Sequence, residues 1–204
     1  MVIIGISETT SCIISDLLLQ YYARNILLYN EDACYANPNN RGIVTANKLP
    51  GLLKHFENNT NRFIVLTINN RVREHQVRKY TRLGGQAYYF VSTTANYTPA
   101  NSLVSQVNTV IMHNAMISAS ARIDEGCIIS PHSYVGHDTD MGRYAYLGQC
   151  SGGSNTHIGA YTSINAGSAI LPGAGVGQNC YVAGQSLVTK IFADNKIIKG
   201  IPAK

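Results

Sequence analysis

Aliphatic residues recur every six positions through the carboxy-terminal half of this chain. They stand at Ile117, Ile123, Ile129, Val135, Met141 and Leu147, then at Ile158, Ile164, Ile170, Val176, Val182 and Val188. Four residues after most of them comes a small one, such as Ala121, Cys127, Thr139, Thr162 or Ser186. A helix repeats every 3.6 residues and a strand every two, so neither produces this register. It is the period of a solenoid. A short strand points one aliphatic side chain inward, and a small residue fits the tight corner that follows. Three hexads make one triangular coil, and successive coils stack at strand spacing, about 4.8 Å. One coil cannot bury its own apolar face. Stability comes from the stack, with each inward aliphatic contributing about 1.5–3 kcal/mol once buried.

The interruption is informative. From Leu147 to Ile158 is eleven residues, one short of two hexads, and the missing residue is expected near Cys150-Ser151-Gly152-Gly153. Counting back eighteen from Gly153 reaches Val135, so the irregular turn is expected to stack on the turn that carries His137. Glycine there lets another molecule approach the backbone closely.

The amino-terminal half reads differently. Val2 to Ile4, Asn25 to Tyr29, Phe63 to Ile68 and Gln86 to Val91 are strand-like apolar runs. Between them, helices are expected from about Ser11 to Tyr22, from Leu49 to Phe56, and, after Asn69 and Asn70, to about Leu83, where Gly84-Gly85 ends the last one. Alternating strands and helices imply parallel crossovers, hence a small α/β sheet. The expected division is an α/β domain over residues 1–95 and a solenoid with its tail over 96–204.

Net charge is +5, but Lys and Arg are scattered, which argues against a nucleic-acid partner and suits an anionic small molecule. Five cysteines show no paired or zinc-type spacing and read as free thiols in a reducing compartment. The opening MVIIGISETT lacks the basic segment of a signal peptide, and the next apolar stretch carries Asp16. A cytoplasmic protein without membrane association is the expectation.

The hexads, the run Val135-Gly136-His137-Asp138-Thr139-Asp140-Met141-Gly142 and the ending Lys199-Gly200-Ile201-Pro202-Ala203-Lys204 resemble the left-handed β-helix acyltransferases. With the Rossmann-like amino-terminal half, and Ile68-Asn69-Asn70-Arg71 after a strand, the chain is similar to sugar acetyltransferases. That family includes sialic-acid O-acetyltransferases and bacterial N-acetyltransferases of nucleotide-linked 4-amino sugars. The resemblance implies a left-handed coil, a homotrimer with sites between solenoids, and acetyl-CoA as donor. It also implies a nucleotide-linked amino sugar of surface-glycan synthesis as acceptor.

Amide formation from a thioester needs a base for the amine proton and donors for the developing oxyanion. An imidazole suits the base role. The resemblance assigns that role to His137 with Asp138 beside it, where close relatives carry Glu. For the coenzyme it points to Gly153 and Ser154 along the pantetheine arm, to Ala166, Gly167, Ala183 and Gly184 as backbone contacts, and to Tyr146, near a family position for a His that contacts acetyl-CoA. Lys190 is a candidate for coenzyme phosphate. His113, His132 and His157 have no ligand-type spacing, so no metal is expected. Cys150, near the glycine turn, is the one candidate for an acyl-enzyme, and direct transfer is preferred.

For the nucleotide, Gly5 opens a first loop with Ser7, Glu8 and Thr9. The loop lacks the later glycines of a phosphate cradle, so contacts to ribose or base are expected. Asn30, Glu31 and Asp32 follow the second strand, where ribose or base recognition would fall. Asn69 and Arg73 follow the third, with Arg73 a candidate phosphate partner. O-acetylation of a free sugar, and a solenoid serving only assembly, remain as alternatives.

Overall fold

In a computed structural model, residues 1–5, 26–29, 43–46, 49–58, 61–97 and 99–204 are described. The expected helix from Ser11 to Tyr22 lies outside them. The chain divides into two compact units, Met1–Tyr88 and Tyr89–Lys204.

The first unit holds strands β1 (Val2–Ile4), β2 (Ile26–Tyr29), β3 (Ile43–Ala46), β4 (Arg62–Val65) and β5 (Gln86–Ala87), with helices α1 (Leu49–Asn58) and α2 (Asn70–Arg82). All strands are parallel, in the order β3-β2-β1-β4-β5. The chain works outward from β1 on one side, then crosses to the other, so the switch point lies between β1 and β4. Strand β3 is a fifth strand beyond the four expected, a run of only four residues between polar stretches. Val2, Ile3 and Ile4, with Phe63, Ile64 and Val65, are buried to 1% exposure or less. Phe63 meets the Tyr80 ring edge-on at 6.0 Å. A side chain at Gly85 would sit 2.7 Å from the Phe63 ring, so the turn that ends α2 admits only glycine against that core.

The second unit is a parallel β-solenoid of about six coils. Three sheets form its faces, each built from two-residue strands paired with those one coil away. Outward residues of the first face include Met116, Tyr134, Ser151 and Ala169; of the second, Arg122, Asp140, His157 and Gly175; of the third, Ile128, Tyr146, Ser163 and Tyr181. The twelve phased aliphatic residues point inward, none more than 5% exposed.

Each corner places one residue in the left-handed region, three positions after the inward aliphatic: Ser120, Gly126, His132, Asp138, Tyr144, Tyr161, Gly167, Gly173, Asn179 and Gln185. Glycine and short polar residues adopt it most readily. The bulky Tyr144 and Tyr161 are compensated by stacking, with parallel rings 6.0 Å apart.

The solenoid begins at Phe90–Val91, earlier than its expected start, because Phe90–Val91 pairs with Val110–Ile111 and not with the α/β sheet. A boundary at 95/96 therefore falls inside the first coil. Its inward residues Val91, Tyr97, Val104 and Ile111 are spaced six, seven and seven apart, with a 3-10 turn at Pro99–Asn101 in the first long corner. These insertions break the phase that makes later coils legible. At the other end Ile191–Phe192 and Ile197–Ile198 still form rungs. Gly200 and Ala203 then bridge back, and Ala203 is buried against the core.

Candidate functional site

His137 and Asp138 occupy the corner between the first and second faces, in the turn that joins strands Tyr134–Val135 and Asp140–Met141. A residue that ends in the left-handed region turns its side chain away from the coil. At φ +56° Asp138 does so, and its carboxylate Oδ2 lies 2.8 Å from His137 Nδ1. Both side chains are more than half exposed, at 59% and 58%.

The turn that stacks directly on this corner is residues 153–156, seventeen residues on rather than eighteen; the shortened turn itself, expected here, lies one corner earlier. Val135 pairs with Gly152, and Asn155 N–H donates to the His137 carbonyl at 2.8 Å. The shortening falls at Gly148–Cys150, where three residues join two strands in place of four. Gly152 thereby takes an inward position that an aliphatic residue fills in other coils.

Gly136 brings the next coil close. A Cβ there would stand 2.5 Å from Ser154 N and 2.6 Å from Gly153 C. Ser154 N–H, half-buried above Gly136, has no hydrogen-bond acceptor among the described residues. Beneath it, Thr139 Oγ1 donates to the Gly153 carbonyl at 2.8 Å and Thr156 Oγ1 to the same oxygen at 2.9 Å. Neither threonine stood out in the sequence, where Thr139 reads as one more small corner residue. A groove of about 420 Å³ starts at Asp138 and Asn155 and runs over Gly173 and Gly175 to Asp194.

The remaining candidates separate into other regions. Lys190 lies on the His137 column of corners, two coils beyond Ser154, exposed, with Nζ 5.3 Å from the Phe192 ring. Ala166, Gly167, Ala183 and Gly184 form successive steps of the corner between the third and first faces, where Gly167 N–H donates to Gln149 O and Gln185 N–H to Ala166 O. Tyr146 is on the third face, accepting from Ser130 Oγ at 3.3 Å. Within one chain, therefore, Gly153, Ser154 and Lys190 share the histidine's column of corners, and the other coenzyme candidates do not.

Cys150 is buried, and desolvation pushes its thiol up to about 12. A thiol held neutral is a poor nucleophile, which removes it as an acyl carrier. Cys127 and Cys180 are buried too. His113 and His132 meet edge-on at 5.6 Å on another corner, and His157 sits on the second face opposite Asp140. Among the described residues no cluster of three metal-ligating side chains occurs.

In the α/β unit, Gly5 ends β1 at φ +79°, beside Thr67 N at the switch point. Asn69 caps α2, its side chain accepting from Val72 N–H at 3.1 Å. Arg73 is fully buried rather than presented to an anion. Its Nη1 donates to Thr67 O at 2.8 Å and its Nη2 to Asn70 Oδ1 at 3.0 Å, which braces the loop after β4. Ser7, Glu8, Thr9, Asn30, Glu31 and Asp32 lie outside the described residues.

Fold and corner together define a hexapeptide-type parallel β-solenoid with a histidine–carboxylate pair, joined to a parallel α/β unit. Solved structures of that build include acetyltransferases. A variant of perosamine N-acetyltransferase from Caulobacter crescentus with histidine changed to asparagine, in complex with CoA and GDP-perosamine, has a TM-score of 0.87 and 22% identity. The match covers 100% of this chain and 94% of that one. The acetyltransferase domain of PglB from Neisseria gonorrhoeae, bound to acetyl coenzyme A, has a TM-score of 0.86 and 18% identity over 100% and 97%. WeeI from Acinetobacter baumannii gives 0.77 and 15% over 100% and 97%. At such identities the likeness is one of fold. The carnitine operon protein CaiE of Escherichia coli is 31% identical over 91 residues, 44% of this chain and 45% of its own length. The chain thus matches about half the length of that curated relative. No protein-family model matches.

Proposed function

We propose that this protein is an acetyl-CoA-dependent N-acetyltransferase acting on the amine of a nucleotide-linked amino sugar, with His137 as general base. The observation that carries the reading is the His137–Asp138 pair, 2.8 Å apart on an exposed corner, with the unpaired Ser154 N–H one coil above. Fold likeness to an N-acetyltransferase crystallised with CoA and GDP-perosamine supports it.

The chemistry follows from those groups. Asp138 accepts a hydrogen bond from Nδ1–H and so leaves the Nε2 lone pair free to act as base. The sugar amine attacks the thioester carbonyl carbon, and Nε2 takes the proton the nitrogen sheds. The carbonyl electron pair moves onto oxygen, where Ser154 N–H donates to it. The oxyanion then collapses, the C–S bond breaks, and the thiolate leaves with a proton from the imidazolium. The products are an amide and CoA. No covalent enzyme intermediate is needed, in keeping with the neutral buried Cys150.

In this reading the solenoid winds left-handed and three copies assemble, so that another subunit's Tyr146, Ala166, Gly167, Ala183 or Gly184 completes the coenzyme site. The α/β unit acts as a Rossmann-like holder for the nucleotide, through Gly5 and the residues after β1, β2 and β4. The test is thiol release from acetyl-CoA across UDP-, dTDP- and GDP-linked amino sugars. Turnover with none of them, while acetyl-CoA binds, would remove the acceptor assignment.

One observation favours a second reading, O-acetylation of a free sugar. Arg73 is buried in contacts with Thr67 and Asn70, and the first loop carries Glu8 and few glycines. Calorimetry with nucleoside diphosphates separates the two, since only the first requires binding.

A further inference from the structure

Two buried hydroxyls converge on one carbonyl behind the corner that carries the proposed chemistry. Thr139 is fully buried and Thr156 is 4% exposed. Thr139 comes from the His137 coil and Thr156 from the coil above. Both donate to Gly153 O, at 2.8 and 2.9 Å, and their own oxygens lie 3.2 Å apart. Elsewhere a corner hydroxyl serves a carbonyl singly: Thr162 donates to Gly177 O at 2.6 Å and Ser168 to Ala183 O at 2.8 Å. Gly153 O instead takes two hydroxyl donors.

Gly153 C=O and Ser154 N–H belong to the same peptide group. Donors on the oxygen draw electron density from the nitrogen and leave the N–H more positive. Such cooperative strengthening is worth about 10–30% per bond. Two anchors on one oxygen also fix the tilt of the peptide plane, and with it the direction of the N–H. That N–H has no protein acceptor and stands over Gly136, next to His137.

We infer that Thr139 and Thr156 are positioning residues, which polarise and aim the Ser154 N–H at the oxyanion of the acyl-transfer step. The inference rests on the acetyltransferase reading given above.

The test compares Thr139→Val, Thr156→Val and the double variant with Thr139→Ser/Thr156→Ser. Valine keeps the volume and removes the donor; serine keeps the donor. Removing an oxyanion donor outright costs about 10²–10³ in kcat, so weakening one is expected to lower kcat about tenfold while KM for acetyl-CoA holds. The serine pair is expected to restore kcat to within about threefold. Thr162→Val, which removes a similar bond on another corner, is expected to lower Tm but leave kcat.

A readout free of catalysis accompanies these. In the resting protein, the Ser154 amide proton is expected to shift upfield in Thr156→Val. Wild-type kcat in Thr156→Val with an unmoved Ser154 resonance would overturn the inference, as would a loss equally large in the serine pair. If the double valine variant does not fold, Thr156→Val alone decides the same question. Absence of acetyl transfer by the wild-type protein would count against the proposed function, and the amide shift would still judge the clamp.

Discussion

His137 stands exposed on its corner, with the neighbouring carboxylate 2.8 Å from Nδ1. Asp138 takes the left-handed corner conformation, which a short polar side chain tolerates. This gives Asp a local justification at that position. Replacing His137 with Ala or Asn is expected to lower kcat by about 10²–10⁴, while circular dichroism and mass stay those of wild type. Cys150 gives a second prediction. Burial lifts its thiol from 9.0 to about 12, so iodoacetamide at pH 8 should leave it unmodified in the native protein. A folded-state value above the unfolded one means stability that is present below pH 9 and declines as pH rises toward 12. Urea titrations should show that decline, and it should be shallower in Cys150→Ala.

At the scale of one coil, close backbone approach is the controlling constraint. Gly136→Ala would force a methyl to within 2.5 Å of Ser154 N, which cannot yield without moving a whole corner. Overpacking of that kind is expected to cost about 1–3 kcal/mol in chemical denaturation. Asn179 holds a left-handed corner and donates from Nδ2 to Asn195 Oδ1 at 2.8 Å. Asn179→Val loses that bond and puts a β-branched residue at positive φ, for about 1–2 kcal/mol. Both corners were partly readable as hexad turns. Which residue bends, and which glycine is packed on backbone, was not, because periodicity marks inward positions and says little of the turn between them.

Across the whole molecule, the proposed reading requires threefold assembly, since Tyr146 and the Ala166 and Ala183 steps lie away from the His137 corner of their own chain. Sedimentation equilibrium is expected to return three times the 22.2 kDa chain mass. A monomer would leave those residues without a role in coenzyme binding. No described helix is long and apolar enough to cross a membrane.

Much of this architecture was legible from order along the chain. A six-residue period can be satisfied only by a stack of triangular coils, so the solenoid, its inward residues and the stacking of the glycine turn near His137 followed from spacing. Strand–helix alternation gave the parallel sheet in the same way. Tertiary structure decided what spacing does not encode. The first coil was hidden by two seven-residue corners. Arg73 turned inward because its fork found Thr67 O and Asn70 inside the protein. The two threonines met on Gly153 O because their corners stack directly, one coil on the next. Those outcomes depend on where atoms from different turns meet, and that is set only once the chain is wound.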